Sequence, residues 1–150
     1  MTEQPTADSG WTDPTCPVAR TLDLVGDRWS LLIVRDAMDG ARTFGEYQQA
    51  TGIARNILTD RLRRLEERGI VSRTIPETGK RPVYQLTDAG EDLFTVVVAL
   101  RQWGERNAFA AGEQHSLLVD DRGNELAPLR PTTTTRRRVD ARTTSVRGRA

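Results

Sequence analysis

The segment TGIARNILTDRLRRLEERGIV, residues 51–71, constrains the fold of this chain more than any other stretch. At about 100° of rotation per residue, a helix over 54–68 has two distinct faces. The apolar face carries Leu58, Leu62 and Leu65. The polar face carries Asn56, Thr59, Asp60 and Arg63. Such a helix needs a core behind its leucines, and its polar face is either solvated surface or a binding surface.

Composition limits the class of protein. The 150 residues are 37% hydrophobic and 29% charged, which favours one compact domain with tails. No run approaches the roughly 20 apolar residues of a membrane span, and the N-terminus does not resemble a secretory signal. We therefore expect a cytoplasmic protein without a membrane partner. The single cysteine, Cys16, excludes an internal disulfide framework, and we expect no metal and no cofactor.

Positive charge is concentrated locally in a nearly neutral chain. Residues 54–81 hold eight basic and four acidic residues, although 1–130 as a whole hold 16 basic and 20 acidic ones. A local basic region of this kind attracts phosphate even when the net charge is only +1. The last segment, 131–150, adds six arginines and one acid.

The chain divides into four segments by composition. Residues 1–15 are polar and contain two prolines, which indicates a flexible N-terminal arm. The folded domain covers 16–112. Two strand-like pieces around DDRGN suggest a hairpin within 113–130, and 131–150 read as a disordered basic tail that could add weak attraction to DNA.

The order of elements within the domain is helix, helix, short helix, turn, helix, hairpin and long helix. Asp27 can cap the second helix, and Thr43 with Glu46 forms a capping-box pattern before the third. Gly52 breaks the chain before the 54–68 helix, and a long helix follows from Thr87 or Asp88. This predicts a mainly α fold with a small β-hairpin wing, a winged helix-turn-helix.

A winged helix-turn-helix suggests a use for the polar face of the 54–68 helix. The major groove of DNA is about 12 Å wide and admits one α-helix. We therefore predict that the polar residues of this face read base edges: Asn56, Thr59, Asp60 and Arg63. Asp60 would either accept from cytosine N4 or orient an arginine. We predict phosphate contacts from the neighbouring turn and wing: Arg42, Thr43, Arg55, Lys80 and Arg81.

Several spaced motifs resemble one bacterial family. They are CPV, GDRWSLLIVRDAMDG, TFGE, LTDRLRRLEERGIV and YQLTDAGEDL, and the likeness spans residues 16 to 104. The sequence is similar to the HxlR-type (DUF24) winged helix-turn-helix regulators, relatives of the MarR group. The resemblance implies a homodimeric transcription factor that dimerises through its first and last long helices. We expect a repressor on a pseudo-palindromic, double-stranded operator.

The stretch LFTVVVALRQW, residues 93–103, is apolar on more than one side. Leu93, Val97 and Leu100 suit packing against the domain, which leaves further apolar side chains to be covered. We predict that a second copy covers Phe94, Val98 and Trp103. The alternative is a monomer in which the 115–129 hairpin covers them.

Cys16 lies directly before Pro17 at the start of the first helix. The partial positive charge of a helix N-terminus favours thiolate, and some members of the family that the chain resembles sense oxidants or electrophiles at this position. Cys16 is therefore a candidate sensor. The alternatives are an inert cysteine and a regulator that answers to a small-molecule effector.

Other readings of the same residues remain open. The polar face could be solvated surface, and we assign Arg64, Glu67 and Arg68 mostly to such a surface, because pairs three or four residues apart support a helix without a partner. A winged helix could also be a protein-interaction module without specific DNA binding. We expect no enzyme, since the sequence has no phosphate-binding loop, no metal-ligand spacing and no nucleophile–base pair.

Overall fold

The computed structural model describes residues 10–148, and within them it contains six helices and one two-stranded sheet. The elements are α1 Pro17–Val25, α2 Ser30–Met38, α3 Phe44–Thr51, α4 Arg55–Glu67, β1 Val71–Thr74, β2 Val83–Leu86, α5 Asp88–Glu91 and α6 Phe94–Asn107. Two compact units divide the chain, one ending at Phe94 and one beginning at Thr95. No helix in the described part is long and apolar enough to cross a membrane.

Helix α2 forms the centre of the first unit. Its Ile33 and Val34 are fully buried, and it contacts both α3 and β2. The Asp27 carboxylate accepts from the backbone N–H groups of Trp29 and Ser30 at 3.0 and 3.1 Å. Asp27 therefore closes the turn that leads into α2, but the N-cap residue of α2 is Trp29, which makes no side-chain cap, so Asp27 is not the N-cap that was predicted.

Helices α3 and α4 form the helix-turn-helix. Thr43 and Glu46 make the predicted capping box at the start of α3. Gly52 ends this helix with a φ of +67°, a left-handed conformation that glycine adopts without steric cost. The three leucines of α4 are at most 1% exposed: Leu58, Leu62 and Leu65. The apolar face of the 54–68 helix therefore faces the core, as predicted.

Strands β1 and β2 form the predicted wing. They pair antiparallel, with Val71 opposite Leu86 and Thr74 opposite Val83. Two bonds join β2 to the helix-turn-helix: the Tyr84 amide donates to the Arg42 carbonyl at 2.7 Å, and the Tyr47 hydroxyl donates to the Tyr84 carbonyl at 3.0 Å. Burial raises the pKa of Tyr47 to about 12, which keeps this donor protonated.

The long helix predicted from Thr87 or Asp88 is interrupted. Helix α5 ends at Glu91, and α6 begins at Phe94. Between them the Leu93 amide donates to the Gly90 carbonyl three residues earlier, which is a tighter turn than the α-helix. The prediction of one continuous helix is therefore wrong at this point, although the Thr87 cap is present.

The second unit contains most of α6 and the segment that follows it. Gln102 binds this segment twice, donating to the Ala127 carbonyl at 3.0 Å and accepting from the Leu129 amide at 2.7 Å. Val119 and Glu125 pair across a turn, so the 113–130 hairpin is reduced to one isolated bridge. The segment 115–129 is nevertheless bound to α6.

The two predicted tails contain local structure where they are described. In the arm, the Thr12 hydroxyl donates to Asp23 of α1 at 2.7 Å, so residues 10–15 are not simply a free arm. In the tail, the Thr133 amide donates to the Arg137 carbonyl at 2.9 Å, and Thr132 pairs with Arg138. The arm residues 1–9 and the tail residues 149–150 lie outside the described part of the chain.

Candidate nucleic-acid interface

The structure brings the predicted base-reading residues together on the outer face of α4. Asn56, Thr59 and Arg63 are exposed, and Asp60 is half-buried. The leucines on the opposite side anchor the helix, so this face is turned away from the core. Its polar groups are held on a rigid element and not on a loop, which is the arrangement that a reading surface needs.

Asp60 is the centre of a cluster of arginines. Its Oδ1 lies 2.8 Å from Arg63 Nη2, and its Oδ2 lies 2.9 Å from Arg64 Nε and also contacts Arg61. The hydrogen bond from Arg63, above all, lowers the pKa of Asp60 below its usual value. Of the two roles predicted for Asp60, this geometry favours the orientation of an arginine over the contact with cytosine.

The two uncharged residues of the face differ in which of their hydrogen-bonding groups are free. The Thr59 hydroxyl donates to the Arg55 carbonyl at 2.9 Å, so its hydrogen is used within the helix and its lone pairs remain free. The Asn56 carboxamide makes no hydrogen bond to any residue of the described range 10–148. Asn56 can therefore offer both a donor and an acceptor, the pair that adenine requires.

Arg55 lies at the first turn of α4 and is held by an aromatic ring. Its guanidinium carbon lies 4.8 Å from the ring centroid of Phe44, the first residue of α3. This cation–π contact fixes the exposed cation near the turn of the helix-turn-helix. The predicted phosphate contact by Arg55 remains a prediction, and Phe44 is a positioning residue that the sequence analysis missed.

The structure does not favour the phosphate contacts predicted for Arg42 and Thr43. The Arg42 guanidinium turns inward and donates from Nη1 to the carbonyls of Ala37 and Ala41, at 2.9 and 2.7 Å. The Thr43 hydroxyl accepts from the Glu46 amide, and the Glu46 carboxylate accepts hydrogen bonds from the amides of Arg42 and Thr43. The backbone amides of Arg42, Thr43 and Glu46 are therefore already bonded within the capping box.

The basic residues of the wing are placed as predicted at the connection between its strands. Lys80 and Arg81 are both exposed. Neither makes an ion pair with a residue in the described part of the chain. Their role as phosphate contacts stays a prediction.

Cys16 is the N-terminal cap of α1. Its Sγ accepts from the Ala19 amide at 3.4 Å, and the residue is half-buried. The thiol therefore lies at the positive end of a helix, as the sequence predicted. Nothing in this geometry tests whether the thiol reacts with oxidants.

The residues predicted at the dimer interface do not lie on one surface. Phe94 and Trp103 are 45% and 60% exposed, but Val98 is only 2% exposed. Val98 lines a cavity of about 360 Å³ with Leu118 and Leu126 of the 115–129 segment. The assignment of Val98 is corrected for this reason, because the chain's own segment faces it. Leu100 is instead 54% exposed, contrary to the packing expected of it.

The recognisable architecture is a glycine turn, a leucine-anchored helix and a two-stranded wing, which together define the winged helix-turn-helix class. Residues 24–111 match the family model described as HxlR-like helix-turn-helix. This match covers more than half of the chain. The chain therefore belongs to the HxlR-like helix-turn-helix family, as the resemblance predicted.

Named relatives agree with this family. The HTH-type transcriptional regulator MT3179 of Mycobacterium tuberculosis is 48% identical over 90 residues, which are 59% of this chain and 56% of that protein. The chain thus spans about half the length of that relative. The crystal structure of PA1607, described as a transcription factor, is 45% identical with a TM-score of 0.86, covering 90% of this chain and 96% of that one.

A third relative is described as a redox regulator. The structure of HypR in its reduced form is 34% identical with a TM-score of 0.56, covering 62% of this chain and 94% of that one. The matched family and these relatives are helix-turn-helix transcriptional regulators, and this chain shares their helix-turn-helix fold. The family and its named relatives are regulators and not enzymes, in agreement with the prediction that the chain is a regulator.

Proposed function

We propose that this protein is a homodimeric repressor that binds a pseudo-palindromic DNA operator through the outer face of α4. The observation that carries the proposal is the division of α4 into a fully buried leucine face and an exposed polar face with an arginine cluster. A helix of this kind fits the major groove with its polar face toward the bases. The protein would act in the cytoplasm.

Within this proposal the residues of the face have separate tasks. The free carboxamide of Asn56 suits adenine, and the guanidinium of Arg63 suits guanine. Arg55, Lys80 and Arg81 would contact phosphates on either side of the inserted helix. These contacts set position and affinity, whereas the contacts to bases set the sequence that is recognised.

Dimerisation is supported by apolar side chains that the chain leaves exposed. Val18 and Leu22 of α1 are 68% and 60% exposed, and Trp103 of α6 is 60% exposed. Exposed apolar surface of this kind marks association sites on soluble proteins. Two copies would present two α4 helices to half-sites about 34 Å apart, one helical turn of DNA.

A signal that alters the spacing of the two α4 helices would release the operator. We infer that oxidation or alkylation of the Cys16 thiol provides this signal, with a non-covalent effector as the alternative. Support comes from the cap position of Cys16 and from the likeness to the redox regulator HypR. Hypochlorite or an electrophile should then lower DNA affinity in wild type but not in Cys16→Ser. An equal response in both proteins would favour the effector.

Selection of bound fragments from genomic DNA tests the proposal as a whole. A repressor should enrich one sequence with two related half-sites, and the enriched fragments would also identify the regulated genes. The rival, a protein-interaction module, should bind all fragments weakly and leave no footprint. That outcome would overturn the proposed function.

A further inference from the structure

The guanidinium of Arg63 is held by two carboxylates on the surface of α4. Its Nη2 lies 2.8 Å from Asp60 Oδ1, and its Nη1 lies 2.8 Å from Glu67 Oε1. These partners come three residues before and four residues after Arg63, so they bind the guanidinium from both directions along the helix. Both terminal nitrogens are therefore engaged before any DNA is bound.

The two carboxylates would respond differently if Arg63 turned away toward a base. Asp60 would still be paired with Arg61 and Arg64. Glu67, in contrast, has no other ion-pair partner among residues 10–148. It would be left as an unpaired negative charge on the face proposed to enter the major groove of a polyanion. The free-energy cost of releasing Arg63 therefore comes mainly from the loss of its ion pair with Glu67.

We propose that Glu67 is a positioning residue that competes with DNA for the guanidinium of Arg63. The inference rests on the proposed function of the outer face of α4 and extends it to a residue that the sequence assigned mostly to solvated surface. Glu67 keeps Arg63 against the helix, and binding at a guanine must exchange this carboxylate for the O6 and N7 acceptors of the base. Glu67 thereby lowers the affinity of the protein for its operator.

The size of this effect is limited by solvent. The side chains of Arg63 and Glu67 are 56% and 59% exposed, and exposed ion pairs of this kind are weak. We expect removal of the Glu67 charge to raise operator affinity by about two- to fivefold through the release of Arg63. The gain should be largest at low ionic strength, where surface charges are least screened.

Glu66 provides a matched control for the charge itself. It is the exposed neighbour of Glu67 on the same helix, and it forms no ion pair within the described part of the chain. Glu66→Gln removes the same charge one position away without freeing Arg63. Any general gain from reduced repulsion of phosphate should therefore appear in both variants.

The test is a double-mutant cycle on the duplex of highest affinity recovered from the genomic selection. Glu67→Gln and Glu66→Gln are each measured by fluorescence anisotropy, both with Arg63 present and in an Arg63→Ala background. With Arg63 present, Glu67→Gln should bind more tightly than Glu66→Gln by about two- to fivefold. In the Arg63→Ala background the two variants should bind equally.

Three results would overturn the inference, and they separate it from the proposed function. Equal gains for Glu67→Gln and Glu66→Gln with Arg63 present would show that only net charge matters. Weaker binding by Glu67→Gln would show that Glu67 assists binding. A wild-type protein that recovers no preferred duplex would overturn the proposed function, and this inference with it.

Discussion

Helices α4 and α6 are both amphipathic, but the chain covers their apolar faces differently. On α4 the leucines are buried and the exposed face is polar. On α6 only Val98 is buried, while Val96, Leu100 and Trp103 are 38%, 54% and 60% exposed at positions i, i+4 and i+7 of one face. The apolar face of α4 is covered within its own unit, and its exposed polar face suits nucleic acid. Helix α6 leaves an exposed apolar surface that suits another protein chain.

The largest difference should appear in folding stability. Leu62→Ala removes a side chain that is 1% exposed and should lower the free energy of unfolding by about 2–5 kcal/mol. Leu100→Ala, on the exposed face of α6, is the matched change. Its effect in urea unfolding should depend on protein concentration, because it acts through association. If Leu100→Ala lowered the free energy of unfolding as much as Leu62→Ala, independently of protein concentration, the proposed difference between α4 and α6 would be contradicted.

Self-association should depend on the exposed face of α6. Trp103→Ala should raise the dissociation constant of the dimer on the order of 30-fold or more, as truncation of a central aromatic residue does. Val146→Ala, a truncation of an apolar side chain that is 99% exposed in the tail, should leave it unchanged. Sedimentation equilibrium measures both constants. An unchanged dimer in Trp103→Ala would place the interface elsewhere.

DNA binding should depend on the outer face of α4. Arg63→Ala should weaken operator binding by on the order of tenfold to a hundredfold, because a bidentate contact to guanine is lost. Arg122→Ala removes an exposed arginine from the second unit and serves as the control for net charge. Gel-shift titrations in which the two variants lose equal affinity would reduce the role of Arg63 to general attraction.

The smallest expected effect concerns the support of α4 by its neighbour. Thr43→Ala removes the side-chain acceptor of the capping box at the start of α3 and should cost about 1 kcal/mol of unfolding free energy. Operator affinity should change little, since Thr43 acts here as a cap. A large loss of affinity with unchanged stability would instead restore the predicted phosphate contact.

The sequence was sufficient for the features that depend on local periodicity and capping. The spacing of Leu58, Leu62 and Leu65, the Thr43–Glu46 box and Gly52 led to the correct helix-turn-helix. These signals are local, because each is fixed by residues within one or two turns of the chain.

The failures concern contacts between distant parts of the sequence. Val98 and Leu100 are both apolar, and only the position of the 115–129 segment decides which of them is covered. No sequence signal indicates that the Arg42 guanidinium donates to the carbonyls of Ala37 and Ala41, and its predicted phosphate contact stays a prediction. The i,i+4 spacing of Arg63 and Glu67 is present in the sequence, but the structure is needed to place this ion pair on the outer face of α4.

The most direct test of the account is methylation interference on the selected operator, which asks whether the outer face of α4 lies in the major groove. A methyl group on guanine N7 projects into the major groove, where Arg63 would bind. We predict that methylation weakens wild-type binding at guanines in two half-sites about one helical turn apart, and that Arg63→Ala loses this sensitivity. Wild-type binding that is indifferent to N7 methylation throughout a guanine-containing site would contradict the account.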